Sequence, residues 1–119
     1  MIVRLLRALL LVACLLPPAL HARGFASDVT VDALPHEAAH TLQVIRNGGP
    51  FPYSRDGVVF GNRERILPMR PRGYYREYTV TTPGSRYRGA QRIVCGGEQR
   101  SARDCWYSND HYQSFQRIR

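Results

Sequence analysis

Glu77, His111, Arg88 and Arg92 are the side chains from which a catalytic set can be assembled. A carboxylate can take the proton of a hydroxyl, an imidazole can return one to a departing oxygen, and paired guanidiniums can hold the charge that builds on a phosphorus atom between them. Attack of a ribose 2′-hydroxyl on its own phosphodiester requires these parts, with arginines supplying the positive charge. Glu77 beside two arginines is, by itself, more often a plain ion pair. His111 changes the balance, because it stands in the polar stretch Ser108-Asn109-Asp110-His111 and not on a patterned face. His36 and His40 fall on the outward side of a helical pattern and read as solvated surface residues.

For these groups to meet, regular elements must join distant parts of the chain. Leu34-Pro35-His36-Glu37 opens a helix: proline suits the first helical position, and Glu37 lies near the positive end of the dipole. Ala38, Thr41, Leu42 and Ile45 recur on one helical face until Asn47-Gly48-Gly49-Pro50 ends it. That apolar face needs a sheet to lie on. Tyr74 to Thr82, Gln91 to Cys95, Trp106-Tyr107 and Ser114 to Ile118 are β-prone runs. Turn signals at Pro83-Gly84, Arg88-Gly89 and Ser108-Asn109-Asp110 separate them. One helix followed by closely connected strands predicts an α+β domain, an N-terminal amphipathic helix packed on an antiparallel sheet. Alternation turns Tyr78 and Val80 toward the helix and Glu77, Thr79 and Thr81 away from it. Arg92 and Val94 share a face of the next strand, with Arg88 on the turn leading into it. Arg23 to Ala33 reads as an extended or loose lead-in, with Val29 and Val31 alternating against polar neighbours. Pro50 to Pro71 is an irregular, aromatic and proline-rich section of the kind that carries binding groups.

The start of the chain has a different character. A basic head with Arg4 and Arg7 precedes an apolar run too short for a convincing membrane span, the pattern of a secretory leader. Pro17-Pro18 and Ala22 then suggest a division into a leader, residues 1–22, and a domain, residues 23–119. Leu11-Val12-Ala13-Cys14 also fits the lipid-attachment signal of bacterial lipoproteins; unless Cys14 is lipidated, no stable membrane association is expected. All 17 basic residues are arginine, and without Arg4 and Arg7 the remaining 15 face 9 acids, a formal excess of 6. An exported domain so charged is drawn to polyanions, nucleic acid foremost. Cys95 and Cys105 form an even pair, expected to close a disulfide around nine intervening residues. With His111 as the only neighbouring ligand, they fall short of a zinc site, and neither metal nor cofactor is expected.

The segments Leu34-Pro35, Gly48 to Tyr53, Asp56 to Phe60, Asn62 to Glu64, Gly73 to Val80, Thr82 to Gly84, Arg88-Gly89, Arg92 to Val94 and Asp110 to Tyr112 carry a resemblance through their order and spacing. The chain resembles the guanyl-specific bacterial ribonucleases, the barnase-like group and especially its streptomycete branch, from Leu34 to Ile118. The resemblance implies the microbial ribonuclease fold and a secreted endoribonuclease. Such an enzyme cuts single-stranded RNA 3′ of guanosine by transesterification to a 2′,3′-cyclic phosphate, which it then hydrolyses. Glu77 then corresponds to the general base, His111 to the general acid and Arg88 and Arg92 to the phosphate-binding arginines, while Tyr112 resembles a tyrosine that touches the phosphate. Phe60 to Glu64 would read the base. Glu64 would accept the guanine N1–H and N2–H, backbone N–H groups around Asn62 and Arg63 would meet O6, and Phe60 and Arg63 would flank the ring. A monomer and a small acidic barstar-like inhibitor are also implied. Gly61 stands where relatives often carry glutamine, and Gln91 where an arginine is common. This chain cannot make the disulfide that joins the relatives' two ends, and Cys95–Cys105 would serve as a staple in its place.

Two other readings fit the composition less well. A catalytically silent nucleic-acid-binding protein on the same fold would be expected to lack Glu77 or His111, and both are present. A membrane-active basic protein would carry a basic amphipathic helix, whereas the helix here holds His36, Glu37, His40 and Arg46.

Overall fold

The computed structural model describes residues 24, 25 and 27–119, so the expected leader and Cys14 lie outside the described residues. Strand β1 is Gly24–Phe25, and helix α1 is His36–Asn47. Strands β2, Tyr75–Thr79; β3, Arg92–Gly96; β4, Cys105–Ser108; and β5, Ser114–Arg117, follow. Short 3-10 turns occupy Val31–Ala33 and Gln99–Ser101. The strand order is β1-β5-β4-β3-β2. β2 to β5 are antiparallel, as their short connections require. The α+β expectation therefore holds, with one addition: β1 pairs parallel to β5, where a loose lead-in was expected. The pairing continues at Val29, whose N–H donates to the Arg117 carbonyl and whose carbonyl accepts from the Arg119 N–H, both at 2.8 Å.

α1 begins one residue later than proline preference suggests. Pro35 is its cap, with ψ 145°, and its carbonyl accepts from the Ala38 and Ala39 N–H groups. At the other end the Gly48 N–H closes onto the Val44 and Ile45 carbonyls. Ala38, Leu42 and Ile45 are buried on the face read from their spacing, against Tyr78, Val80, Ile93 and Tyr107 of the sheet. A helix this short is not stable alone. Burial of Leu42 and Ile45, roughly 1.5–3 kcal/mol for each side chain, fixes it in place. The Cys95–Cys105 disulfide lies in the same core and joins residues that face each other across β3 and β4.

Alternation along the strands sends the intervening residues to the sheet's second face. There Tyr75, Val94, Trp106 and Phe115 form a second cluster, closed by Leu67, Ile66 and Phe60 from the irregular section. That section also adds to the sheet edge. Gly57 N–H donates to the Glu77 carbonyl, Glu77 N–H to that of Val58, and Phe60 N–H to that of Tyr75. Phe60 is thereby fixed beside the strand that carries Glu77.

Candidate active site

Glu77 and Thr79 project from β2 onto the second face, and Arg92 of β3 stands opposite Thr79 in register. Glu77 is only 7% exposed. Arg88 Nη2 donates to Glu77 Oε1 at 2.9 Å, and Arg88 Nε donates to Thr79 Oγ1 at 2.7 Å. This two-point hold orients the guanidinium plane against the carboxylate. The turn that delivers it depends on Gly89, at φ +68°, where an added Cβ would come within 2.5 Å of Thr82 Oγ1.

Arg92 is buried. Its Nη1 donates to the Gln91 carbonyl at 2.8 Å, and its Nε has no partner. Burial first, and the neighbouring Arg88 charge second, lower its pKa from the usual arginine value. Two like charges held side by side, one with an unpaired donor, are relieved by an anion. The Tyr112 hydroxyl is likewise buried without a partner. Burial and then the Glu77 charge push its pKa well up, so it stays a neutral donor.

His111 is exposed, on a loop in which both His111 (φ 53°) and Tyr112 (φ 71°) are left-handed. This conformation costs roughly 1–2 kcal/mol for each L-residue, so the surrounding bonds must hold it. Asp110 supplies them: Oδ1 accepts from Ser114 N–H at 3.0 Å and Ser108 Oγ at 2.9 Å, and Oδ2 from Ser114 Oγ at 2.6 Å. Burial alone would raise the Asp110 pKa. The bonds from Ser114 and Ser108 outweigh it and hold the carboxyl below its ordinary value. Ser108 Oγ also accepts from Tyr112 N–H at 3.0 Å. His111 N–H donates to the Ala90 carbonyl at 3.0 Å, tying the histidine loop to the segment between Arg88 and Arg92.

Phe60, Asn62, Arg63 and Glu64 line one side of a cleft of about 480 Å³, and Glu77, His111 and Tyr112 line it with them. The Phe60 ring lies 4.8 Å from that of Tyr112 and 5.9 Å from that of Phe115. Asn62, also left-handed at φ 49°, uses its side chain as a clasp. Nδ2 donates to the Leu67 carbonyl at 2.9 Å and Oδ1 accepts from Leu67 N–H at 3.1 Å. This leaves Arg63 and Glu64 exposed at the cleft. Every residue selected from the sequence for catalysis or base reading therefore borders the cleft or joins it, Arg88 through Glu77 and Arg92 beside Arg88 and Tyr112, whereas Cys95 and Cys105 lie in the core on the helix side of the sheet.

Sequence reasoning missed Arg55, whose Nε lies 3.9 Å from Glu77 Oε1, and also Ile66 and Gln113, which line the cleft. Arg55 stands in an irregular segment, and only the edge pairing of residues 57–60 carries it to Glu77. The part played by Asp110 had a readable signal, an aspartate between Ser108 and Ser114 in a polar turn. Among the described residues there is no group of three His, Cys, Asp or Glu side chains placed to hold a metal ion, and no helix long and apolar enough to cross a membrane.

A family model described as ribonuclease matches residues 19–119. The chain belongs to the ribonuclease family. Guanyl-specific ribonuclease Sa3 of Kitasatospora aureofaciens is 54% identical over 90 residues, 76% of this ribonuclease and 62% of that protein, so less than two thirds of the relative is spanned. Guanyl-specific ribonuclease Sa of the same organism is 52% identical over 93 residues, 78% of this chain and 94% of the relative. Guanyl-specific ribonuclease St of Saccharopolyspora erythraea is 49% identical over 77% and 86% of the two chains. A crystal structure of ribonuclease Sa2 with guanosine-2′-cyclophosphate matches with a TM-score of 0.72 and 49% identity, over 79% of this chain and 97% of that one. In this ribonuclease Gly61 is not left-handed, and an added Cβ would meet Arg63 Cγ at an ordinary 3.6 Å, so the base loop does not depend on glycine there. Gln91 is used on the helix side, where its Oε1 accepts from the Tyr107 hydroxyl at 2.7 Å.

Proposed function

We propose that this ribonuclease is a guanyl-preferring endoribonuclease that cleaves single-stranded RNA 3′ of guanosine, forming a 2′,3′-cyclic phosphate and then hydrolysing it. The supporting observation is the cleft that Glu77, its 2.9 Å partner Arg88 and the exposed His111 share with the base loop Phe60 to Glu64. Glu77 takes the proton of the 2′-hydroxyl as that oxygen attacks phosphorus. The bond to the 5′-oxygen breaks, and His111 gives this oxygen its proton. Arg88, Arg92 and the Tyr112 hydroxyl hold the charge of the phosphorane. In the second step water takes the place of the departed nucleoside, and His111 and Glu77 exchange roles. The free enzyme needs Glu77 ionised and His111 protonated, so kcat/KM follows a bell-shaped pH profile.

Guanine preference falls to Glu64, whose carboxylate accepts from N1–H and N2–H together, with Asn62, Arg63 and Phe60 shaping the loop around the base. The names of the relatives and the guanosine ligand of the Sa2 structure support this choice of base. Residues 1–22 are proposed as a secretory leader and 23–119 as the exported enzyme, a monomer, and the Cys95–Cys105 disulfide favours an oxidising compartment. A producing cell then needs an acidic barstar-like inhibitor, steered by the arginine excess. Digestion of a defined RNA by the purified chain tests the reading. Cuts after guanosine with cyclic phosphate ends are expected, and cuts indifferent to the base, or none, would overturn it.

A further inference from the structure

We infer that Tyr87 is a stacking platform for the base of the nucleotide that follows the cut, the nucleoside released as the cyclic phosphate forms. The inference rests on the transesterification proposed above. In a displacement at phosphorus the entering and leaving oxygens lie roughly in line. With Glu77 serving the entering oxygen, the leaving nucleoside lies on the His111 side. The His111 backbone is bonded to the Ala90 carbonyl at 3.0 Å, which joins the end of the loop from Pro83 to Ala90 to the His111 side, while Arg88 of the same loop reaches Glu77. We place Tyr87, between Arg86 and Arg88, within reach of a nucleoside leaving past His111.

This loop presents Arg86, Tyr87 and Arg88 in succession. Arg88 turns inward onto Glu77 and Thr79. Tyr87 turns outward and at 82% is the most exposed large hydrophobic side chain among the described residues. It belongs to neither core cluster, and its ring pairs with no other ring among the described residues. Its backbone is nevertheless held. Ser85 Oγ accepts from Tyr87 N–H at 3.1 Å and donates to the Tyr87 carbonyl at 3.3 Å, while Ser85 N–H donates to the Thr82 carbonyl at 3.2 Å. A fixed turn thus holds an open aromatic face beside exposed Arg86, the combination of stacking surface and cation by which single-stranded bases are held. Packing in the free protein gives the ring no role, and a base arriving on the leaving side gives it one.

The two steps of the reaction separate this subsite from the rest of the machinery, because the cyclic phosphate carries no following nucleotide. Wild type, Tyr87→Ala and Tyr87→Phe are compared on guanylyl-adenosine, guanylyl-uridine and guanosine 2′,3′-cyclic phosphate. Tyr87→Ala is expected to lose about tenfold in kcat/KM on guanylyl-adenosine. It should lose less on guanylyl-uridine, with its smaller base, and nothing on the cyclic phosphate, and Tyr87→Phe should match wild type throughout. Equal losses on the dinucleoside and cyclic substrates would make Tyr87 a general support of the site and overturn the inference, as would no loss on guanylyl-adenosine. A wild-type chain inert on all three substrates would overturn the proposed reaction itself, and the subsite with it.

Discussion

Arg92 Nε and the Tyr112 hydroxyl are buried donors with no partner, an arrangement that costs about 1–3 kcal/mol per group while nothing is bound. Anionic oxygens reaching them would recover that energy together with the repulsion between Arg88 and Arg92. His111 differs from them in being exposed at the cleft, and the proposed reaction gives it the part of acid to the leaving oxygen. Replacement by asparagine keeps a residue that tolerates the left-handed backbone at φ 53°. His111→Asn is expected to lower kcat by about 10²–10⁴-fold. Single-turnover cleavage of a defined RNA, set beside binding of the same RNA carrying 2′-deoxyguanosine, checks this: binding should persist, and an unchanged rate would remove His111 from the mechanism. Glu64→Gln puts a donor where two guanine donors need an acceptor. Its cut map should lose guanosine preference while its melting temperature stays near that of wild type, because Glu64 is exposed.

Two short elements hold these residues in place. The loop from Asp110 to Ser114 depends on one carboxylate, and Asp110→Ala should lower stability by about 1–3 kcal/mol and reduce kcat as His111 and Tyr112 leave their left-handed conformations. The pH dependence has a definite sign. The folded Asp110 pKa is depressed, so its contribution is fully present above the unfolded value of about 3.9 and is lost as pH falls through the lower folded value. Melting temperatures of wild type and Asp110→Asn should therefore converge in that acid window. The arginine turn depends on Gly89. Gly89→Ala combines a positive φ with the clash at Thr82 and should destabilise by more than about 1 kcal/mol. It should also raise KM by displacing Arg88 and Arg92; a variant with unchanged Tm and KM would contradict this account of the turn. The α1 face and the β2 to β5 meander were legible because each repeats a local period. β1 was not legible, because two residues carry no period and their partner lies at the far end of the domain.

Across the whole molecule the sheet separates stability from chemistry. Helix and disulfide lie on one face, and the cleft lies on the other. Replacing both Cys95 and Cys105 by serine should lower unfolding free energy by about 3 kcal/mol while leaving kcat/KM near wild type below the transition. Denaturant unfolding and cleavage assays on the same preparation would test that separation, and a collapse of activity in the still-folded variant would disprove it.

Residue types and spacings alone determined the helix and the strand faces, because these follow from backbone periods. The roles of Glu77 and His111 came from the resemblance, and the tertiary structure set both at one cleft. The tertiary structure decided the approach of Arg55 to Glu77, the bond from His111 to Ala90, the clasp of Asn62 on Leu67 and the addition of residues 57–60 to the sheet edge. Each of these joins segments without a repeating pattern. Their contact energy appears only once the rest of the chain has packed, so no local property of the sequence could announce them.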